Sequence, residues 1–114
     1  ALLPEIQRAG IKRFVYLGVH IEEGYRNTAY VEAHELTASL LREAALDVTV
    51  IRPTGIFTAF EDLLPLARWR LCPQIGGGLA RTNPIDPQDV AELIVDHLLA
   101  GPADLPCGGP ETFT

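Results

Sequence analysis

The chain has 114 residues, of which 47% are hydrophobic and 21% are charged, so it is long enough to bury one core and too short for two domains. Nine Lys and Arg against fifteen Asp and Glu give a formal net charge of -6, which leaves no basic face for a nucleic acid partner. The apolar stretches are only a few residues long, which argues against a membrane span or a secretory signal and predicts a soluble, cytoplasmic protein.

The two cysteines indicate the redox state of the thiols, and the first residue indicates whether the chain is part of a longer protein. Cys72 and Cys107 lie far apart, and no Cys or His stands at zinc-ligand spacing beside either. We therefore expect reduced thiols and no metal site. The chain has no Met and begins at Ala1 inside a helical pattern, which indicates a piece of a longer protein.

Two strands and a helix between them are indicated by the first half of the chain. Arg13–Leu17 is a β-branched and aromatic run, and residues 48–51 form a second one that ends at Arg52-Pro53. Asn27 or Thr28 is suited to cap the intervening helix. Its predicted apolar stripe consists of Ala33, Thr37, Leu40, Leu41 and Ala44. A strand, helix and strand of this kind form a parallel crossover unit, so the fold class is α/β.

A second helix is predicted near the carboxyl terminus. Asp86 is a suitable N-cap, Pro87 occupies the first turn, and the pair Gly101-Pro102 marks the end. The predicted apolar stripe consists of Val90, Leu93, Ile94, His97 and Leu98. We interpret His97 as a packed, hydrogen-bonded histidine at the edge of the core.

Residues 54–84 are irregular by comparison, and they include the triplet Gly76-Gly77-Gly78. A glycine-rich loop binds phosphate when it joins a strand to a helix N-terminus. Pro84 prevents the residues that follow from starting a helix, so the triplet is interpreted as a flexible surface turn.

Five segments carry a resemblance to a known family. They are residues 14–17 on the first strand, Tyr30 to His34 on the helix, residues 50–57, residues 83–86 leading into 89–92, and residues 108–114. In this order the chain resembles the atypical short-chain dehydrogenases, in their NmrA-like and nucleoside-diphosphate-sugar-epimerase-like branch. The resemblance implies that residues 1–114 are the carboxyl-terminal half of one NAD(P)-binding, parallel-sheet Rossmann-like domain. It also implies a small lid or substrate region around 56–84.

The resemblance assigns a catalytic pair to the helix. In the family, a Tyr acts as acid or base at the substrate carbonyl, and a Lys one turn later binds the nicotinamide ribose. Tyr30 occupies the Tyr place and His34 the Lys place, and i and i+4 residues share a helix face. Lys12 is the only lysine and precedes the first strand, so it cannot take that role. Packing of the Tyr30 ring against the sheet and an ordinary polar role for His34 remain the alternatives.

Further cofactor contacts are implied at the ends of the two strands. Gly18 and His20 stand where the family usually has Ser or Thr, so the expected hydroxyl is absent, and Thr28 or His20 is the candidate substitute for it. Pro53, Thr54 and Gly55 follow the second strand, where open parallel sheets bind ligands, and their backbone is suited to a nicotinamide carboxamide. A plain turn at the end of the strand is the alternative.

Substrate contacts are implied in the region around 56–84. Phe57 and Phe60, with Trp69, resemble the family's lid, although packing of a lid against the core would account for them equally. Arg81 and Asn83 precede the last helix and are candidates for holding an anionic or hydroxylated substrate. An exposed loop arginine without a specific role is the alternative for Arg81.

The resemblance therefore implies an NAD- or NADP-dependent oxidoreductase or epimerase acting on a small carbonyl or a sugar nucleotide. A non-catalytic NAD(P) sensor of the NmrA-like type is the first alternative, since it needs neither Ser nor Lys. A scaffold that binds no nucleotide is the second. The expected partners are a dinucleotide and a small substrate, with no nucleic acid and no membrane. An unpaired sheet edge also predicts self-association or pairing with a missing amino-terminal half.

Overall fold

The computed structural model of the protein describes residues 2–71 and 77–114. Three strands and five helices lie in these two stretches, together with a short 3₁₀ turn at Glu23–Tyr25. In chain order the elements are α1 (Leu2–Arg8), β1 (Arg13–Leu17), α2 (Ala29–Glu43), β2 (Asp47–Pro53), α3 (Thr58–Glu61), α4 (Leu64–Arg68), α5 (Pro87–Asp96) and β3 (Ala103–Cys107).

The strands form a parallel sheet in the order β1-β2-β3, which confirms the α/β, Rossmann-like class. The predicted strands match β1 and the centre of β2, and β2 extends through Pro53. Pro53 is tolerated in β2 because it needs no N–H group for its hydrogen bond toward β1. Its carbonyl accepts this hydrogen bond from the backbone N–H of His20 at 3.0 Å. The third strand, β3, was not predicted from the sequence.

Helices cover both faces of the sheet. Residues Val48 and Val50 of β2 pack against Ala38 and Leu41 of α2. Thr49 lies between these two valines in the sequence, so its side chain points to the opposite face. On that face, Thr49 and the residues after α5 are joined by the Arg13 guanidinium, 3.0 Å from Thr49 Oγ1. The central strand is consequently buried from Val48 to Pro53.

The predicted apolar stripe of α2 is correct at Leu41 and wrong at Ala33, Thr37 and Leu40, so the helix is rotated relative to the prediction. The buried residues are Val31, Ala38 and Leu41, whereas Leu40 is 47% exposed. Ala33 and Thr37 are also exposed, and Ala44 is half-buried at the C-cap. Polar contacts account for this rotation. His34 is hydrogen-bonded to Tyr16 of β1 and Glu35 to Arg52 of β2, so the face of the helix that carries these two residues is turned toward the sheet. The start of α2 is as predicted, with Thr28 as the N-cap.

Helix α5 begins where the sequence predicts and ends earlier. The Asp86 carboxylate accepts from the Gln88 N–H at 2.7 Å, and Val90 is buried. The helix ends at Asp96, and beyond it the Arg13 guanidinium donates to the carbonyls of His97, Leu98 and Gly101. Leu98, predicted on the apolar stripe, is 47% exposed.

His97 lies at the edge of the core, as predicted. It is half-buried at the C-cap of α5, and its Nδ1 atom is 2.8 Å from the Leu93 carbonyl. This hydrogen bond closes the last turn of the helix, so the histidine has a structural task.

The region between β2 and α5 is more regular than predicted, since it contains α3 and α4. Its large apolar side chains are mostly exposed, with Trp69 at 79% and Leu64 at 62%. Gly77 and Gly78 lie in a turn, as predicted, with Gly78 at φ +69°. Gly76 and Cys72 fall outside the described residues.

Within residues 2–71 and 77–114, no helix has both the length and the apolar character that a membrane crossing requires. Cys107 of β3 is a half-buried free thiol, and burial raises its pKa above the ordinary cysteine value.

Candidate functional site

A cleft of about 860 Å³ opens at the carboxyl ends of β1 and β2, beside the first turn of α2. This is the edge at which open parallel sheets bind ligands. Nine residues predicted for cofactor or substrate contacts line it: Gly18, His20, Tyr30, His34, Pro53, Thr54, Gly55, Arg81 and Asn83. Residues from four separate segments of the sequence therefore meet in one place.

Phe57 and Phe60 are the predicted substrate residues that lie outside the lining of the cleft. Their ring centroids are 6.4 Å apart, and both side chains are more than a third exposed. A Cβ atom built on Gly55 would lie 3.4 Å from the Phe60 ring, so the ring packs behind the turn that forms the wall. Phe60 therefore lies against the turn at Gly55, outside the cleft, and Phe57 contacts Phe60.

The Tyr30 and His34 side chains meet on the cleft side of α2. Their ring centroids lie 4.8 Å apart in an edge-to-face arrangement with an interplanar angle of 70°. Tyr30 is 65% exposed, which differs from packing of its ring against the sheet. The helix spacing therefore places a phenol and an imidazole side by side at the mouth of the cleft.

Tyr16 is a residue of this cluster that sequence reasoning missed. Its hydroxyl oxygen lies 2.7 Å from Nδ1 of His34, and the two ring centroids are 5.9 Å apart. Tyr16 lies on β1 and packs against the buried cluster under α2. The available signal was its position two residues before Gly18, since alternate strand residues point to the same face.

Gly18 packs closely against the face of the sheet that lies under α2. A Cβ atom at Gly18 would lie 3.2 Å from Cγ1 of Val50 and 3.7 Å from Cε1 of Tyr16. Those atoms belong to the packed face under α2, so a side chain here would crowd the core. The Gly18 N–H donates to the Ile51 carbonyl at 2.8 Å, which holds this backbone against β2.

The floor of the cleft is a junction between the ends of β2, β3 and the segment before α5. The Thr54 hydroxyl donates to the Asn83 carbonyl at 2.7 Å, and the Gly109 N–H donates to the same oxygen at 2.9 Å. The Asn83 amide donates to the Gly109 carbonyl at 3.4 Å. Thr54 and Asn83 thus use their polar groups to join the segments, whereas Arg81 and His20 are exposed at the rim.

A buried cation stands behind the cleft, on the α2 face of the sheet. Arg52 is 8% exposed and contacts two carboxylates, with 2.5 Å to Glu35 Oε1 and 2.5 Å to Asp104 Oδ1. Arg42 adds a second pair to Asp104 at 2.7 Å. The hydrogen bond from Arg52 holds the pKa of Asp104 below its ordinary value, and Asp104 raises that of Arg52.

This cluster also reaches the cleft through the backbone. The Arg52 guanidinium donates to the Val19 carbonyl at 3.4 Å, and Val19 lines the cleft beside Gly18. The ion pairs therefore tie α2, β2, β3 and the loop after β1 together. In the described stretches, His, Cys, Asp and Glu side chains do not gather in threes that would hold a metal ion.

Comparison with known proteins gives a structural match only. No protein-family profile matches the chain, and no curated protein matches its sequence. The crystal structure of a nucleoside-diphosphate-sugar epimerase from Staphylococcus aureus matches with a TM-score of 0.78 at 16% sequence identity. The match covers 98% of this chain and 41% of that chain. The chain therefore has the fold of less than half of that structure.

Proposed function

We propose that the chain is the carboxyl-terminal half of an NAD(P)-binding domain of the atypical short-chain dehydrogenase type, with a lid region around 56–84. In this proposal the complete domain is an oxidoreductase or epimerase that acts on a small carbonyl or a sugar nucleotide. The observation that carries it is the convergence of Tyr30, His34 and the turn at 53–55 in one cleft at the carboxyl edge of a parallel sheet. The fold shared with an epimerase supports it.

The donors and acceptors of the cleft fit the nicotinamide end of a dinucleotide. The phenol of Tyr30 and the imidazole of His34 are suited to ribose hydroxyls, and the backbone of Thr54 and Gly55 to a carboxamide. Bound NAD or NADP would supply a hydride acceptor or donor. Among the described residues, no glycine-rich turn leads directly from a strand into a helix, so in this proposal the pyrophosphate is held by an amino-terminal half.

Each side chain of the cleft has a task in this proposal. The Tyr30 hydroxyl gives a proton to, or takes one from, the oxygen of the substrate carbonyl or alcohol. His34 holds the ribose through Nε2, since Nδ1 is bonded to Tyr16. Arg81 at the rim and Asn83 are the candidate substrate contacts, and Phe57 and Phe60 belong to the lid region, with Phe60 beside Gly55.

A non-catalytic NAD(P) sensor of the NmrA-like type is the second candidate function. Two observations favour it: position 34 has a ring whose Nδ1 is already bonded in place of an ammonium, and Gly18 has no hydroxyl, with a Cβ there only 3.2 Å from Cγ1 of Val50. Cofactor binding needs neither group. Self-association through the free edge of β1, or pairing of that edge with the amino-terminal half, is proposed for both candidates.

Removal of the Tyr30 hydroxyl separates the two candidates. In the complete domain, Tyr30→Phe is expected to lower kcat by about 10²- to 10⁴-fold with little change in cofactor affinity, because general acid catalysis contributes that much. Steady-state kinetics with NAD(H) and NADP(H) across a panel of small carbonyls and sugar nucleotides measures it. Ser39→Ala is the matched control, because it removes a hydroxyl from an exposed position of the same helix that does not line the cleft.

His34→Lys completes this test with a gain. A permanent cation on the same helix face stabilises the deprotonated phenol of Tyr30 and should raise a weak activity near neutral pH. If neither the parent nor His34→Lys turns over any substrate while dinucleotide binding persists, the enzyme proposal is wrong and the sensor stands.

A further inference from the structure

The hydroxyl of Tyr16 is placed to control the imidazole of His34. Tyr16 lies on β1, is half-buried, and packs with Phe14 against the cluster that includes Ala38 and Val50. Its oxygen is 2.7 Å from Nδ1 of His34. A strand in a sheet is a rigid support, so this contact fixes the imidazole more firmly than a surface contact would.

The direction of this hydrogen bond follows from the requirement that the half-buried Tyr16 hydroxyl has an acceptor for its proton. A neutral imidazole carries one N–H, so Nδ1 either accepts the phenol proton or donates to the phenol oxygen. In the second case the half-buried Tyr16 proton would lose its partner, because His34 is the hydrogen-bond partner that the described residues give to the Tyr16 hydroxyl. Donation from Tyr16 to Nδ1 satisfies both groups and places the remaining proton on Nε2.

We propose that Tyr16 is a positioning residue that fixes His34 in the tautomer with its proton on Nε2 and presents that N–H to a ribose hydroxyl in the cleft. This inference rests on the proposed function, because it takes the ligand to be a nicotinamide ribonucleotide. The edge-to-face contact with Tyr30 also restrains the ring, so His34 contacts two aromatic rings. Tyr16 itself acts through His34 and touches no reacting atom.

The first part of the test examines the tautomer in the 114-residue chain without a ligand. Nitrogen-15 NMR of the imidazoles at about pH 8, where histidine is ordinarily neutral, distinguishes a protonated ring nitrogen from a bare one. For the parent chain we expect His34 as a single tautomer with the proton on Nε2. Tyr16→Phe removes one hydroxyl, so the tautomer with the proton on Nδ1 should also become populated. Exchange between the two tautomers should reduce the difference between the two nitrogen chemical shifts of His34. His20 and His97 serve as internal references.

Phe14→Leu is the matched control for packing. Phe14 lies on the same strand and packs against the same cluster as Tyr16, and no hydrogen bond to His34 is involved. We expect Phe14→Leu to lower the free energy of unfolding while leaving the nitrogen shifts of His34 unchanged. An unchanged His34 spectrum in Tyr16→Phe, or an equal change in Phe14→Leu, would overturn the inference.

The second part measures binding of reduced nicotinamide mononucleotide, the half of the cofactor that the cleft is proposed to hold. Titration followed by backbone NMR shifts detects millimolar affinity. Tyr16→Phe should weaken binding roughly 3- to 10-fold, the effect of one hydrogen bond, and Phe14→Leu less than about twofold. A changed tautomer with unchanged affinity would show that the Tyr16 bond is structural only, which overturns the proposed positioning role.

The two readouts also separate this inference from the function on which it rests. If the parent chain shows the fixed tautomer and Tyr16→Phe releases it, while the parent binds no nicotinamide mononucleotide at any concentration tested, the proposed function fails and the ribose contact fails with it. If the parent binds the nucleotide and Tyr16→Phe binds it equally well, the function stands and only the role of Tyr16 is wrong.

Discussion

Two consecutive residues of α2 are anchored to the sheet in different ways. Nδ1 of His34 is hydrogen-bonded to the Tyr16 hydroxyl beside the cleft, whereas Glu35 forms an ion pair with Arg52 behind it. The side chain of Arg52 is only 9% exposed and has carboxylates on two sides. The ion pair, here called the charged anchor, therefore fixes the position of the helix. The hydrogen bond between His34 and Tyr16, here called the neutral anchor, leaves one imidazole nitrogen for a ligand.

The charged anchor is the one whose loss affects the whole fold. A buried cation is tolerated only when it is paired, and removing it leaves Glu35 and Asp104 facing each other across the vacated space. Both carboxylates are partly exposed, at 39% and 42%, so solvent reduces the effect. Loss of His34 or Tyr16, in contrast, affects one hydrogen bond and the packing around it.

Arg52→Met therefore gives the largest expected change in stability. We expect the free energy of unfolding to fall by about 2–4 kcal/mol, measured by urea denaturation. Arg42→Met is the matched control: its pair with Asp104 is 44% exposed on the arginine side, so a loss below about 1 kcal/mol is expected. Equal losses in the two variants would contradict the division between a buried anchor and a surface pair.

A glycine at the floor of the cleft tests whether the site can be disturbed while α2 stays anchored. A Cβ atom on Gly109 would overlap the backbone carbonyl of Pro84, so Gly109→Ala must displace the segment that carries Asn83. We expect a loss of about 1–3 kcal/mol and weaker nucleotide binding, with the His34 nitrogen shifts unchanged. Gly101→Ala is the control, because a Cβ there meets nothing within 4 Å.

These contacts also show how far the sequence predicts the molecule. The strand β1, the caps Thr28 and Asp86, and the grouping of residues at the carboxyl edge of the sheet follow from local signals and from the α/β rule. The rotation of α2 does not, because His34 and Glu35 look like surface residues until their partners on the strands are known.

The strand β3 was missed for a different reason. Its five residues include Asp104 and Pro106, both of which are unfavourable in strands. Proline is acceptable at the edge of a sheet, and Asp104 is placed there by the cations of Arg52 and Arg42. Both reasons are tertiary contacts, and no pattern within residues 103–107 indicates them.

Acid should weaken the charged anchor by protonating Asp104. The arginines hold the pKa of Asp104 below its ordinary value, so its contribution to stability is complete above about pH 4. That contribution is lost as the pH falls through the lower folded-state pKa. The free energy of unfolding of the parent should therefore approach that of Asp104→Asn as the pH falls. Urea denaturation at a series of pH values measures the difference, and Asp96→Asn controls for net charge.

The smallest expected effect lies at the end of α2 and acts on the helix that carries both anchors. Ala45 has φ +57°, a left-handed conformation that glycine adopts without strain, and its side chain is exposed. Ala45→Gly should raise the free energy of unfolding by about 0.5–1 kcal/mol, since the strain it removes exceeds the added freedom of the unfolded chain. Ala33→Gly, at an exposed position inside the same helix, should lower it by about 1 kcal/mol. The two Ala→Gly changes therefore have opposite expected signs, and thermal unfolding of both variants measures them. A loss of stability in both would show that the backbone at the end of α2 is unstrained.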